Sequence, residues 1–260
     1  LAGLLKPDAG QGQVLGFDLL REKGEIRKHV GYMSQRLSLY ADLSVFENLR
    51  FRAEVYGLHN PRAAALAVIE NFELTAYTKS AAKRLSGGWA RRLQLAAALI
   101  HNPKLILLDE PTAGLDATSR QEVWHRIARL AAQGAGVIVG THDLAEAERC
   151  AQAAFLLEGR IIAVGTPEQV AHSAPAVVFL LSGVETHLLA QRIDSIPGVI
   201  ASYPQGASLR IIAQADGPET HEALQHEAHA HTARLTRTAI RLEDAALVFS
   251  KLSAKSQAGV

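Results

Sequence analysis

The first half of the chain carries apolar positions at helical spacing, and polar residues mark where the helices begin. Residues 45–58 contain one such stripe, which consists of Val45, Leu49, Val55 and Leu58. Ser44 stands before the stripe and Glu47 lies three residues further on, which is the spacing of a capping box. The alanine-rich residues 61–74 and the residues 85–103 predict two further helices.

Short apolar runs without alternation follow these helices. LILL at 105–108 and the run at 136–142 are typical of strands that are covered on both faces in a parallel sheet. An amphipathic helix is predicted between them, over 119–134, and two short strands joined by a charged turn are predicted at 11–20 and 29–34. Buried strands that alternate with helices predict an α/β fold with right-handed crossovers.

The composition of the chain changes near Ser173. The residues after it predict a strand at 176–181, a helix, a hairpin, a second helix and a terminal helix. We therefore predict two domains, residues 1–172 and residues 173–260, of which the second is a small α+β domain.

Composition and charge exclude several classes of protein. Of the 260 residues 48% are hydrophobic and 20% are charged, so a disordered or collagen-like chain is excluded. The single cysteine, Cys150, cannot form an internal disulfide and indicates a reducing compartment. The 27 Lys and Arg against 26 Asp and Glu give no reason to expect nucleic-acid binding. No apolar run approaches the ~20 residues that span a bilayer, so a membrane function would need a span from another chain.

A phosphate-binding element is indicated where Leu85-Ser86-Gly87-Gly88 opens a predicted helix. Free N–H groups and the positive end of the helix dipole attract a phosphate there, and glycine lets the backbone approach it. Taken alone, the same run fits an ordinary N-cap after a loop. Arg91 and Arg92, a little further along, are interpreted as part of a solvated helix face.

Carboxylates appear where the LILL strand ends. Asp109 and Glu110 follow it directly, and the carboxyl ends of parallel strands are where such sheets bind ligands. Thr141-His142-Asp143 ends the next predicted strand, and Gln35 follows the strand that ends with Tyr32-Met33-Ser34. Oxygen ligands suit Mg²⁺, and a carboxylate within hydrogen-bond reach of water can act as a base.

Taken in order, Gln35, LSGG, LILLDEP, AGLD and TH resemble the motifs of the ATP-binding subunits of ABC transporters, over at least residues 1–172. The resemblance implies a partial RecA-like phosphate-loop NTPase sheet, a helical subdomain inserted at about 36–103, and ATP and Mg²⁺ as ligands. It implies these site residues: Asp109 and Gln35 at Mg²⁺, Glu110 as the base that polarises the attacking water, His142 at the γ-phosphate and the base, and Ser86, Gly87, Gly88 and Asp116 at the nucleotide across a dimer interface.

Two features depart from that family pattern. The phosphate loop, G-x-x-x-x-G-K-[ST], occurs nowhere in the sequence. LAGLL at 1–5 is interpreted as the end of a helix that stops at Pro7, so the chain is expected to be truncated and inactive by itself. Without a preceding strand, the apolar faces of LILL and of VIVG at 137–140 are expected to be partly uncovered. Trp89 stands where the commonest signature has glutamine, and its effect on nucleotide contact is left open.

The residues 36–49 and the run Arg241-Leu242-Glu243-Asp244 resemble the daunorubicin-resistance-like multidrug branch of type-2 exporters. That resemblance implies drug export through a transmembrane permease, a second ATP-binding subunit as partner, and a position on the cytoplasmic face of the membrane. It also implies an apolar groove for a permease helix, made of Leu39, Tyr40, Leu43 and Phe46.

Other classes fit less well. A chromosome-structure or DNA-repair ABC ATPase would carry a long coiled coil between Gln35 and Ser86, and a translation-factor ABC protein would carry tandem cassettes. A regulatory or structural partner subunit without catalysis stays open, because the phosphate loop is missing. The His-rich helix at 221–231 could hold a metal through His226 and His229, but a solvated helix explains it better. Cys150 is interpreted as a small buried residue.

Overall fold

The computed structural model describes residues 1–183, 186–215 and 217–258, with the backbone alone at 186–188 and 254–258. It forms two compact units, Leu1–His142 and Asp143–Val260. The α/β class is confirmed, with helices between the strands of the first unit and an α+β arrangement in the second. The division into domains at 172/173 stays a prediction.

The first unit is built around a parallel sheet that brings three strand ends to one edge. Its elements are β1 (Gln13–Val14), β2 (Phe17–Asp18), α1 (Lys23–His29), β3 (Val30–Met33), α2 (Val45–Val55), α3 (Pro61–Asn71), α4 (Gly87–Leu99), β4 (Leu105–Asp109), α5 (Ala117–Ala132) and β5 (Gly136–Gly140). Among the described residues the sheet order is β3-β4-β5, with Met33 beside Leu108 and Leu108 beside Val139. The residues that follow each strand therefore meet at the carboxyl edge.

Two local predictions near the start of the chain were wrong. The charged segment after β2 is the helix α1, which buries Ile26 against the strand residues Val14 and Val30. Residues 1–12, all of which the structure describes, contain no helix or strand, although LAGLL was expected to end a helix. Five residues allow only one i→i+4 hydrogen bond, too few to offset the cost of nucleating a helix.

The predicted capping box at the start of α2 is confirmed. Ser44 accepts a hydrogen bond from the Glu47 backbone N–H, and the Glu47 carboxylate accepts one from the Ser44 backbone. The pattern did not reveal Asn48, a buried amide on α2 that donates to the carbonyls of Tyr40 and Leu43. Asn48 therefore fastens the loop after β3 to α2.

The two apolar strands of the sheet differ in burial. Ile106, Leu107 and Leu108 of β4 are buried and Leu105 is half-buried, so the expectation that LILL is partly uncovered was wrong except at Leu105. In β5 the Ile138 side chain is 47% exposed, so the expectation for VIVG is confirmed there, and the interpretation of β5 as a buried strand was wrong. β4 is the middle strand and has neighbours on both sides, whereas β5 is an edge strand in the part of the chain that the structure describes.

His101, just after α4, makes the stability of the first unit depend on pH. Its ring stacks on Tyr56 with 3.6 Å between centroids, and burial lowers the pKa of His101 to about 4. The unfolded chain takes up a proton near pH 6.5, so the free energy of unfolding should fall as the pH drops from about 6.5 to about 4. We expect a loss of about 1 kcal/mol at pH 5, allowing for the partly exposed ring.

Urea unfolding at pH 8 and pH 5 checks this prediction. The His101→Phe variant keeps a ring on Tyr56 and removes the titration, so its stability should lose less between the two pH values. An equal loss in both proteins would show that other groups cause the acid sensitivity.

The second unit contains a four-stranded antiparallel sheet with helices on both faces. Its elements are α6 (Leu144–Ala147), β6 (Ala153–Leu157), β7 (Arg160–Gly165), α7 (Pro167–His172), β8 (Ala176–Ser182), α8 (Thr186–Asp194), β9 (Val199–Gln205), β10 (Ser208–Gln214), α9 (Pro218–Ala230), β11 (Arg234–Thr238) and α10 (Leu242–Ala258). Among the described residues the order β11-β8-β10-β9 and the connection βαββαβ give a ferredoxin-like module. Helices α8 and α9 cover one face, and α7 and α10 cover the other.

A buried ion pair joins the terminal helix to this sheet. Arg210 on β10 donates to both carboxylate oxygens of Asp244 on α10, at 2.9 and 2.6 Å. The Tyr203 hydroxyl and the Arg241 backbone N–H donate to the same carboxylate. Burial alone would raise the pKa of Asp244, but the hydrogen bonds from Arg210, Arg241 and Tyr203 outweigh it and lower that pKa. The pair fixes how α10 lies on the sheet.

Candidate functional site

The carboxyl edge of the parallel sheet brings Glu110 and His142 together. Glu110 directly follows β4, and His142 comes two residues after β5. The His142 Nδ1 atom lies 2.6 Å from Glu110 Oε1, and the His142 backbone N–H donates to the same oxygen at 2.9 Å. The Glu110 side chain is 13% exposed and the His142 side chain is 82% exposed. The imidazole thus joins a nearly buried carboxylate to the surface.

Glu110 has a backbone conformation that side chains rarely adopt. Its φ is 49°, in the left-handed region. Its N–H donates to the Gly140 carbonyl at 2.8 Å, and its own carbonyl accepts from the Arg91 guanidinium at 3.1 Å. Such a conformation persists where surrounding contacts fix it, and it is common at functional sites.

Asp109 and Gln35 lie on neighbouring strand ends at the same edge. Asp109 is the last residue of β4, Gln35 follows β3 by two residues, and both are exposed. A carboxylate and an amide carbonyl are hard oxygen donors, so the two residues fit Mg²⁺ by donor chemistry. The described residues hold no cluster of three or more His, Cys, Asp or Glu that could bind a metal.

The run Leu85-Ser86-Gly87-Gly88, which we call the signature, leads into α4, which begins at Gly87. Ser86 is the N-cap residue, and within the described part of the chain its hydroxyl makes no capping hydrogen bond. A Cβ atom added to Gly87 would meet nothing within 4 Å. A Cβ atom added to Gly88 would lie 3.4 Å from Ser119 Oγ, on α5. The signature therefore lies beside the start of α5 in the same unit.

Asp116 also stabilises the first turn of α5. Its carboxylate accepts hydrogen bonds from the backbone N–H and the hydroxyl of Ser119, at 3.0 and 2.7 Å, and it is the N-cap of α5. The backbone hydrogen bond from Ser119 is the main cause that lowers the pKa of Asp116. Asp116 and Gly88 thus share Ser119 as a neighbour.

Arg91 and Arg92 are not on a solvated face, so that interpretation was wrong. Arg91 is 6% exposed, and Arg92 is bound to the carboxylates of Glu73 and Glu122. The guanidinium of Arg92 also lies over the ring of Trp89, with 4.5 Å to the ring centroid. Sequence reasoning missed the role of Arg91 and of the buried Gln94 because the pattern does not reveal buried polar residues on an otherwise apolar helix face.

The apolar surface expected at the loop after β3 is only partly exposed. Tyr40 is 49% exposed and packs edge-on against Phe51. Leu39, Leu43 and Phe46 are half-buried, whereas Leu37, which was not predicted, is 53% exposed. Tyr40 and Leu37 therefore contribute more of the exposed apolar surface than Leu39, Leu43 and Phe46.

Comparison with known proteins identifies the class to which this fold and site belong. The profile of the ABC transporter family matches residues 1–113. The similar solved structures include the ATP-binding cassette MJ0796 bound to ADP and Pi, with a TM-score of 0.58 and 25% identity over 64% of this chain and 76% of that chain. They also include an ATP-binding subunit of an ABC transporter, with a TM-score of 0.59 and 29% identity over 66% of this chain and 73% of that chain. The chain belongs to the ABC transporter ATP-binding family.

The curated relatives of the chain include two ATP-binding proteins whose names refer to drugs. The chain is 34% identical over 249 residues to the probable multidrug ABC transporter ATP-binding protein YbhF of Escherichia coli, covering 94% of this chain and 43% of the relative. It is 37% identical over 173 residues to the daunorubicin resistance ATP-binding protein DrrA3 of Streptomyces coeruleorubidus, covering 65% and 55%. The chain thus spans about half the length of these relatives.

Three further observations concern residues outside the site. His226 and His229 are exposed on α9, and the described residues contain no group of three or more His, Cys, Asp or Glu that could hold a metal. Cys150 is half-buried, and burial raises the pKa of its thiol, which suits a packed rather than a reactive residue. None of the helices in the described ranges has both the length and the apolar character needed to cross a membrane.

Proposed function

We propose that this chain carries the signature and acidic parts of an ATP site, and that the whole protein hydrolyses ATP to drive export of a small molecule or drug. The observation that supports this most directly is the 2.6 Å contact between Glu110 and His142 at the carboxyl edge of a parallel sheet. The words multidrug and daunorubicin resistance in the names of its relatives support the exporter branch.

Glu110 is the proposed general base. A carboxylate accepts the proton of the attacking water, and the two hydrogen bonds from His142 hold its Oε1 in place while Oε2 is left to face the water. When Nδ1 donates to Glu110, the neutral imidazole has no proton on Nε2. In that tautomer the Nε2 atom of His142 is a hydrogen-bond acceptor, so a donor contact to a γ-phosphate would need a second proton on the ring.

Asp109 and Gln35 are the proposed ligands of Mg²⁺ in the assembled site. When bound, the ion offsets the negative charge of the phosphates. Ser86, Gly87 and Gly88 are proposed to bind the γ-phosphate of a nucleotide held by a second ATP-binding subunit, and Asp116 is proposed to lie at that interface. Free N–H groups at the start of α4 suit this role.

The proposed partner for transport is a transmembrane permease, which would hold the subunit on the cytoplasmic face of the membrane. Leu37 and Tyr40, two exposed apolar residues in the loop that follows Gln35, are the proposed contacts for a permease helix. The substrate would then be selected by the permease.

The function is tested with a fusion protein in which a segment that carries the phosphate-loop motif G-x-x-x-x-G-K-[ST] precedes Leu1. ATP turnover by this fusion supports the proposal. A second candidate, a regulatory or structural subunit without catalysis, stays open because G-x-x-x-x-G-K-[ST] does not occur in the sequence of this chain. A fusion that dimerises with ATP and does not hydrolyse it would favour that candidate.

Gly88→Asp is expected to weaken ATP-driven dimerisation of the fusion by about tenfold or more, because it places a carboxylate where the γ-phosphate would lie. The melting temperature should not fall, since an acidic residue in the first turn of a helix is stabilising. Size-exclusion chromatography with and without Mg-ATP measures the effect.

The matched control for that experiment is Gly88→Ala. Its Cβ atom meets Ser119 Oγ at 3.4 Å and Leu115 Cδ2 at 4.0 Å, both ordinary contacts, so dimerisation should be little changed. Equal dimerisation of the Asp and Ala variants would remove the signature from the nucleotide interface.

Residues 1–260 by themselves are expected neither to hydrolyse ATP nor to bind it tightly. The carboxylates of Asp109 and Glu110 repel a triphosphate, and the sequence has no phosphate-loop lysine and amides to offset them. Calorimetric titration with Mg-ATP measures the affinity. A micromolar dissociation constant together with phosphate release would contradict this expectation.

A further inference from the structure

Two buried polar side chains of α4 reach from the signature helix to the acidic edge of the sheet. Arg91 and Gln94 lie three residues apart on one helix face and are 6% and 2% exposed. The Arg91 guanidinium donates to the Gln94 side-chain oxygen at 2.9 Å. The two residues therefore act as one unit, which we call the Arg91–Gln94 bracket.

The bracket holds the backbone on both sides of Gln35. Gln94 Nε2 lies 3.0 Å from the Ser34 carbonyl oxygen and 2.9 Å from the Arg36 carbonyl oxygen, and Arg91 also donates to Ser34 at 3.2 Å. The Gln35 side chain itself is exposed. The bracket thus fixes the peptide that carries Gln35 and leaves the amide side chain available.

The same guanidinium holds Glu110. Arg91 NH2 donates to the Glu110 carbonyl at 3.1 Å, and the Glu110 N–H donates to Gly140. These two bonds lie on either side of the Glu110 Cα atom, where φ is 49°. Since that conformation costs about 1–3 kcal/mol in a residue other than glycine, contacts that hold both neighbouring peptides are needed to maintain it.

Filling space does not account for the bracket. Burying a guanidinium costs free energy, and an apolar side chain of similar volume is often as stable or more stable. Desolvation lowers the pKa of Arg91, while the charges of Asp109 and Glu110 act in the opposite direction. Arg91 therefore places a buried positive charge near the carboxylates of Asp109 and Glu110 and binds two backbone segments, at Ser34 and at Glu110.

We propose that Arg91 and Gln94 are positioning residues, which set the left-handed conformation of Glu110 and the location of the Gln35 segment relative to the signature helix. An effect of the bracket on catalysis rests on the proposed function, because the roles of Glu110 and Gln35 in ATP hydrolysis are part of that proposal. A displacement of α4, which begins at the signature, would move Glu110 and the Gln35 segment with it.

Site-resolved amide hydrogen exchange on residues 1–260 tests the geometry without nucleotide. In Arg91→Met and in Arg91→Lys, which keeps the charge and cannot span both carbonyls, the amides of Glu110 and His142 should exchange about tenfold to hundredfold faster. The amide of Leu107, within β4, should change by less than about threefold, since the strand ladder stays intact.

The matched control is Arg92→Met, the same substitution at the next position of α4. Arg92 binds Glu73, in the turn after α3, and Glu122, on α5, and neither residue belongs to the acidic edge. This variant should lower the melting temperature and leave the Glu110 and His142 amides unchanged relative to Leu107. Uniform acceleration of all amides in the Arg91 variants, or none, would overturn the proposal.

The fusion protein adds a readout that a purely structural role would not move. Arg91→Lys should lower kcat by about tenfold or more and leave KM for ATP within about twofold, because it displaces the base and not the phosphate loop. Equal loss in kcat and gain in KM would overturn the positioning role. A fusion without any ATPase activity would refute the proposed function, whereas the exchange experiment would still decide the proposal on Arg91 and Gln94.

Discussion

Glu110→Gln is expected to lower ATP turnover of the phosphate-loop fusion by about a hundredfold or more while ATP binding is retained. General-base catalysis contributes about 10²–10⁴-fold, and a carboxamide cannot accept the proton of the attacking water. The Gln side-chain oxygen can still accept both hydrogen bonds from His142, so the geometry of the site should be kept. Unhydrolysed nucleotide should then hold the dimer together.

Single-turnover kinetics and size-exclusion chromatography with Mg-ATP measure the two parts of this prediction. Glu70→Gln, the same change at an exposed position of α3, is the matched control and should leave turnover unaltered. Near-normal turnover in Glu110→Gln would remove Glu110 from the role of base. Loss of ATP binding would instead indicate that the substitution disturbs the site as a whole.

Asp244→Ala is expected to destabilise the second unit by about 3–5 kcal/mol, the largest stability effect that we predict for a single substitution. The change leaves the Arg210 guanidinium buried, with a side chain that is only 2% exposed, without its carboxylate. The Tyr203 hydroxyl and the Arg241 backbone N–H lose their acceptor at the same time. Uncompensated burial of a charge costs far more than the loss of an exposed ion pair.

Denaturant unfolding followed by circular dichroism measures this effect. Glu243→Ala changes the neighbouring exposed carboxylate of α10 and should alter stability by less than about 0.5 kcal/mol. Replacing both partners, Arg210→Met with Asp244→Leu, should recover much of the loss, since no buried charge then remains. A double variant as unstable as Asp244→Ala would show that the hydrogen bonds of Tyr203 and Arg241 carry the effect.

Much of the fold follows from local signals in the sequence. The capping box at Ser44 and Glu47, the helical spacing within residues 85–103 and the apolar LILL run each predict an element that the structure contains. Each of these signals depends on residues that are close in sequence, so the order of polar and apolar residues is enough to predict the element. The failures at the start of the chain involve short elements, where local preference is weak and burial against a neighbour decides.

The order of motifs by itself determined that Asp109, Glu110 and His142 follow neighbouring strands of one parallel sheet, because such strands end at a common edge. Only the tertiary structure decided how that edge is held. In the folded protein the side chains of Arg91 and Gln94 are buried and donate hydrogen bonds to the backbone carbonyls of Ser34, Arg36 and Glu110. In the second unit it likewise paired Arg210 with Asp244, 34 residues away. From sequence alone, a charged residue is expected to be exposed to solvent. It can be buried only where segments that are distant in sequence supply hydrogen-bond or ion-pair partners, and the sequence pattern does not reveal those contacts.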